Sequence, residues 1–167
     1  MEIGTLRPHH RPRLADLLEA TDAFNADEIE VALSLFDLSA TTGAASADYE
    51  FIGAFDDGRL VGYACFGPTP VTQGTYDLYW LAVHPAAQRS GVGRALVRDV
   101  RAKLAARGGR LLLVETSSRA EYARTREFYT HAGFAEAARV RDFYAPADDR
   151  IMLTTRLTTR EGGVATR

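Results

Sequence analysis

Gln88-Arg89-Ser90-Gly91-Val92-Gly93-Arg94-Ala95 decides how the rest of this 167-residue chain is read. Before it lies an aromatic-rich run, Tyr76 to Val83 (YDLYWLAV), that stops at His84-Pro85 and reads as a strand. After it Val92, Leu96, Val100 and Leu104 recur every four residues, the buried face of a helix expected from about Ser90 to Arg107. The octapeptide is therefore a bend from strand into helix. The first N–H groups of a helix have no partner within it and sit at the positive end of its dipole, which suits an anion such as a phosphate. Gly91 and Gly93 carry no Cβ, so a phosphate can approach the backbone, and Arg89 and Arg94 add charge. An ordinary glycine-containing loop fits the same letters. Two other nucleotide readings fail. The dinucleotide fingerprint needs a third Gly where Leu96 stands, and Glu115 suits its ribose-binding acid only loosely; the G-K-[ST] of a P-loop is absent.

Composition narrows the rest. At roughly 150 residues per domain the length predicts about one domain. A hydrophobic fraction of 46% and a charged fraction of 25% are those of a soluble globular protein. Twenty Lys and Arg against twenty-two Asp and Glu leave no basic excess, so no nucleic-acid partner is expected. Cys65 is the one cysteine, more a small core residue than a nucleophile, and forms no internal disulfide. The first ten residues lack the apolar core of a signal peptide, and no apolar run approaches the ~18 residues that span a bilayer. No membrane partner and a cytoplasmic location are expected. No His, Cys, Asp and Glu spacing points to a metal.

Outward from the bend, the chain reads β-α-α-β-β-β-α-β-α-β-β. A short strand over Glu2–Arg7 precedes a helix that opens near Pro12 and carries Leu14, Leu17 and Leu18 on one face. Asn25 followed by Glu28 is a capping pair ahead of Ile29, Leu33 and Phe36 at helical spacing. Thr41–Asp48 is small and polar, a loop. Tyr49–Phe55 and Leu60–Phe66 flank Asp56-Asp57-Gly58, a hairpin signal, and Gly67-Pro68-Thr69-Pro70 is expected to break the second strand. Gly108-Gly109 closes the long helix. Leu111–Thr116 is a near-continuous apolar strand, a helix follows from Arg119 to Ala132, and Phe134–Tyr144 and Arg150–Leu157 form a last strand pair. The helix joining strand 76–83 to strand 111–116 predicts that those two run parallel. The expected class is α/β (α+β): a mixed, largely antiparallel central sheet flanked by helices, in one domain over residues 1–157 with a frayed tail over 158–167.

With these elements placed, the sequence resembles the GNAT superfamily of N-acetyltransferases. Gln88-Arg89-Ser90-Gly91-Val92-Gly93 matches every defined position of that family's Q/R-x-x-G-x-G/A motif. A second signature, an aromatic-Tyr pair followed by Gly-Phe, appears as Phe128-Tyr129 and Gly133-Phe134, with one strand between the two motifs as in the family. The resemblance covers roughly residues 49–157. It implies acetyl-CoA as cosubstrate, with the pyrophosphate on the amides of Arg89 to Arg94, at the bend Gln88–Ala95. The pantetheine arm would pair like an extra strand with Leu81, Ala82 and Val83. Many members carry Asn seven residues before the catalytic Tyr; here that position is Tyr122, which puts cofactor contacts on this helix in question.

The resemblance makes Tyr129 the candidate general acid toward the departing thiolate. Complete proton transfer from an unperturbed Tyr to a thiolate is uphill by roughly 2 kcal/mol, so a lowered pKa or a hydrogen-bond role is required. A buried packing role also fits Tyr129, and Tyr122 seven residues earlier on the same face, but the motif position favours function for Tyr129. The attacking amine must be neutral, which calls for a base. Asp77 and Glu115 are the candidates: each is an acid in an otherwise apolar strand, where a carboxylate is costly unless paired or functional. The expected activity is acetyl transfer from acetyl-CoA to a primary amine on a small molecule or peptide by direct attack, without a covalent acyl-enzyme. The alternatives are a non-catalytic acyl-CoA sensor and an acyltransferase for longer chains. Arg141-Asp142-Phe143-Tyr144 and the tail are candidate homodimer contacts.

Overall fold

The computed structural model describes residues 1–22, 24–42 and 48–157. The expected frayed tail at 158–167 and most of the expected loop at 41–48 lie outside them. The order is β1 (Glu2–Thr5), α1 (Arg11–Ala20), α2 (Ala26–Thr42), β2 (Glu50–Asp56), β3 (Arg59–Pro68), β4 (Thr75–Val83), α3 (Val92–Ala106), β5 (Leu111–Ser117), α4 (Ala123–His131), β6 (Ala135–Ala145) and β7 (Asp148–Arg156). The seven strands form a mixed sheet in the order β1-β2-β3-β4-β5-β7-β6. Pairing is antiparallel in β1–β2, β2–β3, β5–β7 and β6–β7, and parallel in β4–β5, as the helical crossover requires.

Local chemistry explains most boundaries. The Asn25 side chain accepts from the Glu28 N–H at 2.9 Å, and the Glu28 carboxylate accepts from the Asn25 N–H at 2.8 Å, the reciprocal capping box that opens α2. Asp57 and Gly58, both at positive φ (46° and 73°), close the β2–β3 hairpin with Asp56 opposite Arg59. Three expectations are corrected. Thr41 and Thr42 are the last residues of α2, not loop. Gly67 and Pro68 complete β3 instead of breaking it, since Pro ends a strand without loss when its missing N–H is not needed there. The helix expected from Arg119 begins at Ala123, after a 3-10 turn over Ala120–Tyr122.

The chain gathers into two compact units, Met1–Pro68 with Leu78–Val100, and Thr69–Asp77 with the chain from Arg101 on. β4 and α3 each contribute to both. In the first, Leu14, Leu17 and Leu18 of α1 and Ala32 and Phe36 of α2 pack with Phe51, Leu60, Tyr63 and Cys65 of the hairpin. Phe36 meets Phe51 edge-on at 5.2 Å. In the second, Leu104, Leu112, Val114, Tyr129, Phe134, Ile151 and Leu153 are buried. Among the described residues no helix is long and apolar enough to cross a membrane.

Candidate active site

The bend ahead of α3 is built by backbone conformation. Arg89 and Gly91 both have positive φ, 63° and 89°, so the helix starts at Val92, two residues later than its apolar periodicity suggests. A Cβ built on Gly91 would meet nothing within 4 Å, so the space beside it is open; at this φ a larger side chain would be strained as well as intrusive. Gln88 donates through Nε2 to the Val83 carbonyl at 3.3 Å, and Ser90 Oγ donates to the Ala87 carbonyl at 2.6 Å. These two motif side chains hold the loop shape. Val92 is buried and anchors the first turn; a Cβ on Gly62 of β3 would lie 2.8 Å from its Cγ1, so only glycine permits that approach. The Ala95 N–H donates to the Gly91 carbonyl at 3.0 Å, which closes the first helical turn. The amides of Val92, Gly93 and Arg94 lie ahead of that bond, no acid stands in the first turn, and Arg89 and Arg94 are exposed. The assembly can hold an anion.

Leu81, Ala82 and Val83 end β4 in the same unit. The register of β4 with β5 covers Thr75–Asp77 against Leu111–Leu113. The three residues lie beyond it.

Tyr129 stands at the other kind of helix end. It is the third residue from the end of α4, and its carbonyl accepts from Phe134 N–H at 3.0 Å while Thr130 accepts from Gly133 N–H at 3.0 Å, with Gly133 at φ 88°. These two bonds make a Schellman motif, in which an apolar contact joins the same two positions. Here that contact is Tyr129 on Phe134, edge to face at 5.3 Å. The Phe128-Tyr129, Gly133-Phe134 signature is thus also a helix-closing device. Tyr129 is 5% exposed, and burial pushes its phenol up from the ordinary tyrosine range. Tyr122, at the N-terminal edge of α4, is exposed.

The two acids come together. Asp77 is paired with Leu113, and Glu115 follows two residues on, so both side chains leave the same face of the sheet. On the next strand Arg150 is paired with Ser117 and so shares that face. Its Nη2 donates to a Glu115 carboxylate oxygen. That hydrogen bond is the first cause that raises the Arg150 guanidinium's pKa, and the Asp77 charge contributes too. Asp77 accepts from Thr69 Oγ1 at 2.5 Å. Beside them β6 is bulged between Val140 and Ala145. Asp142, at φ 51°, donates its N–H to Asp149 at 3.1 Å and accepts from the Ala147 N–H at 2.6 Å. The bulge sets the Phe143 ring 4.8 Å from the Arg150 guanidinium carbon. The Tyr144 phenol feels the charges of Glu115 and Arg150. Arg150, Phe143 and Tyr144 lie in the 141–150 segment, which the sequence offers only as a stretch expected to shape acceptor specificity, with none of the three singled out as a site residue. Their signal, an Arg ahead of the apolar run Ile151–Leu153 and an aromatic pair in an exposed strand, acquires meaning only through register.

Comparison with known proteins identifies the family. The family model described as Acetyltransferase (GNAT) family matches residues 13–134. The chain is 33% identical over 135 residues to the ribosomal protein bS18-alanine N-acetyltransferase of Escherichia coli K12, an alignment covering 80% of this chain and 88% of that protein. A crystal structure from Desulfovibrio desulfuricans assigned to the GNAT acetyltransferases superposes with a TM-score of 0.88 at 42% identity, over 94% of this chain and all of that one. An aminoglycoside 6'-N-acetyltransferase complexed with coenzyme A superposes at 0.76 over 97% of this chain and all of that one; at 18% identity this shows shared fold alone. The chain belongs to the GNAT family and is an acetyl-CoA-dependent N-acetyltransferase.

Proposed function

We propose that the chain transfers an acetyl group to a primary amine by direct attack in a ternary complex, with the cosubstrate's diphosphate at the start of α3. The observation that carries this reading is the open bend at Gly91. A diphosphate fits there because the space beside Gly91 is free, the first-turn amides of Val92, Gly93 and Arg94 precede the first helical bond, and Arg89 and Arg94 flank them. When bound, acetyl-CoA supplies a thioester whose carbonyl is open to a nitrogen nucleophile. Main-chain groups of Leu81, Ala82 and Val83 would hold the amides of the pantetheine arm.

The chain's own residues then manage protons. An ammonium docked near Asp77 and Glu115 can give one up to a carboxylate or to water beside it, leaving the nitrogen lone pair free for attack. Because burial raises the Tyr129 phenol, it keeps its proton and serves as a hydrogen-bond donor to charge developing on sulfur, not as a donor of the whole proton. One relative supports an amine acceptor: it acts on an alanine of a ribosomal protein. The test is Tyr129→Phe. The ring and its contact with Phe134 survive, so the melting temperature and acetyl-CoA affinity should hold while kcat falls about 100-fold. Unchanged turnover in a stopped assay of coenzyme A release removes Tyr129 from the reaction.

A further inference from the structure

The bulge in β6 and the Arg150 side chain point to the acceptor's chemistry. Two carboxylates and one guanidinium share one sheet face, Asp77 and Glu115 against Arg150, all in the second unit. Arg150 is under-used. Of its donors only Nη2 is engaged, by Glu115; Nε is buried without a partner, and no described residue accepts from Nη1. With Nε buried and one Nη2 proton on Glu115, the edge left to donate is Nη1 with the second Nη2 proton, and two such N–H groups match a carboxylate's two oxygens. Its orientation is fixed from below by Phe143, and Phe143 is fixed by the Asp142 and Asp149 hydrogen bonds that pin the bulge. Phe143 and Tyr144 are each 49% exposed, and their rings meet edge to face at 5.0 Å, an apolar wall beside the charges. The two acids and one guanidinium leave one negative charge in excess, which suits an ammonium.

We propose that this face is a subsite for a free amino acid, the ammonium lying on Asp77 and Glu115, the carboxylate on the open edge of Arg150, and the side chain on Phe143 and Tyr144. The proposal rests on reading Asp77 and Glu115 as the acceptor face. It selects against two other amines. A polycationic sugar brings no anion for Arg150 and adds like charge beside it. A protein N-terminus brings an α-amine with no carboxylate one carbon away. In the reaction the ammonium gives one proton to a carboxylate, the C–N bond forms as the C–S bond breaks, sulfur keeps the electron pair, and the second nitrogen proton passes through water to the departing thiolate, which leaves as the thiol. The product amide carries no charge on nitrogen and so loses its hold on the two acids, while its carboxylate still meets Arg150.

The experiment compares each amino acid with the amine that lacks its carboxylate: L-phenylalanine with 2-phenylethylamine, and L-methionine with 3-(methylthio)propylamine. A peptide beginning with alanine is assayed alongside. Acetyl-CoA binding is followed in the same samples by the rise in melting temperature. The amino acids should exceed their amines in kcat/KM by roughly 10-fold or more. In Arg150→Met that ratio should collapse toward one, and Arg150→Lys should keep part of it. If Arg150→Met shows no cooperative melt, the wild-type ratio and Arg150→Lys decide. A wild-type ratio near one, a ratio unmoved by Arg150→Met, or faster transfer to the peptide than to any amino acid overturns the proposal. Thermal stabilisation by acetyl-CoA with transfer only to other amines sinks the amino-acid subsite alone. Loss of both stabilisation and transfer to every amine sinks the reading beneath it as well.

Discussion

The start of α3 and the end of α4 carry the two family motifs, and they solve opposite problems. At the start of α3, positive φ at Arg89 and Gly91 delays the helix, so N–H groups face outward with no carboxylate to satisfy them. At the end of α4, positive φ at Gly133 folds the chain back, so Phe134 and Gly133 N–H groups satisfy the last carbonyls. The same device, a glycine in the left-handed region, leaves one helix end open and seals the other. The lesson is that a motif glycine does not announce its purpose. What distinguishes the two ends is whether the freed backbone groups find partners inside the protein. Tyr129 belongs to the sealed end, which explains why packing and chemistry compete for its interpretation: its ring helps close the helix, and its hydroxyl is the group we propose for the reaction.

The comparison can be broken most forcefully at the sealed end. Phe134 is 3% exposed, and Phe134→Ala removes the Schellman contact and leaves a cavity. A loss of about 3–5 kcal/mol is expected, read by urea unfolding, with a fall in melting temperature of about 10 °C. A loss under about 1 kcal/mol would show that the contact does not hold Tyr129. Gly91→Val probes the open end. It should weaken coenzyme A on the order of 100-fold, about 2.7 kcal/mol by titration calorimetry, while folding is touched far less than in Phe134→Ala. An unaltered affinity would place the diphosphate elsewhere. Asn25→Ala sharpens the contrast at a third helix end, where side chains do the capping. About 1 kcal/mol of stability should disappear with coenzyme A affinity unchanged.

The smallest effect is a pH dependence at a residue outside both motifs. His10 Nδ1 accepts the Arg7 N–H at 2.9 Å, which requires that nitrogen to be unprotonated. Burial first, then the charges of His9, Arg13 and Arg7, lower the His10 pKa from 6.5. The unfolded chain therefore takes the proton more readily. The stabilisation is complete above about pH 6.5 and is lost as the pH falls below it. Melting temperatures of the wild type and His10→Gln should converge on acidification, and parallel curves would reject the linkage.

Much of the fold was legible without coordinates because its signals are local. The Asn25–Glu28 box, the Asp57-Gly58 turn and the four-residue recurrence from Val92 to Leu104 each act through neighbours in the chain, so reading them needs no distant contact. One misread boundary falls where a local signal conflicts with longer-range pairing. Gly67-Pro68 looks like a breaker until β3 is seen to run through it.

The site divides along the same line. The bend at Gln88–Ala95 was determined by sequence alone, since glycines and a helix start within eight residues are sufficient to free backbone donors. The face that holds Asp77, Glu115 and Arg150 was decided by tertiary structure. Its members are 38 and 35 residues apart along the chain, as their numbers show, and only the registers of β4 on β5 and of β5 on β7 put them on one side of the sheet. Shifting either register by one residue would turn the shifted side chain to the opposite face, because strand side chains alternate with a period of two. Which face a strand presents is a property of its partners, and it sets what the acids meet.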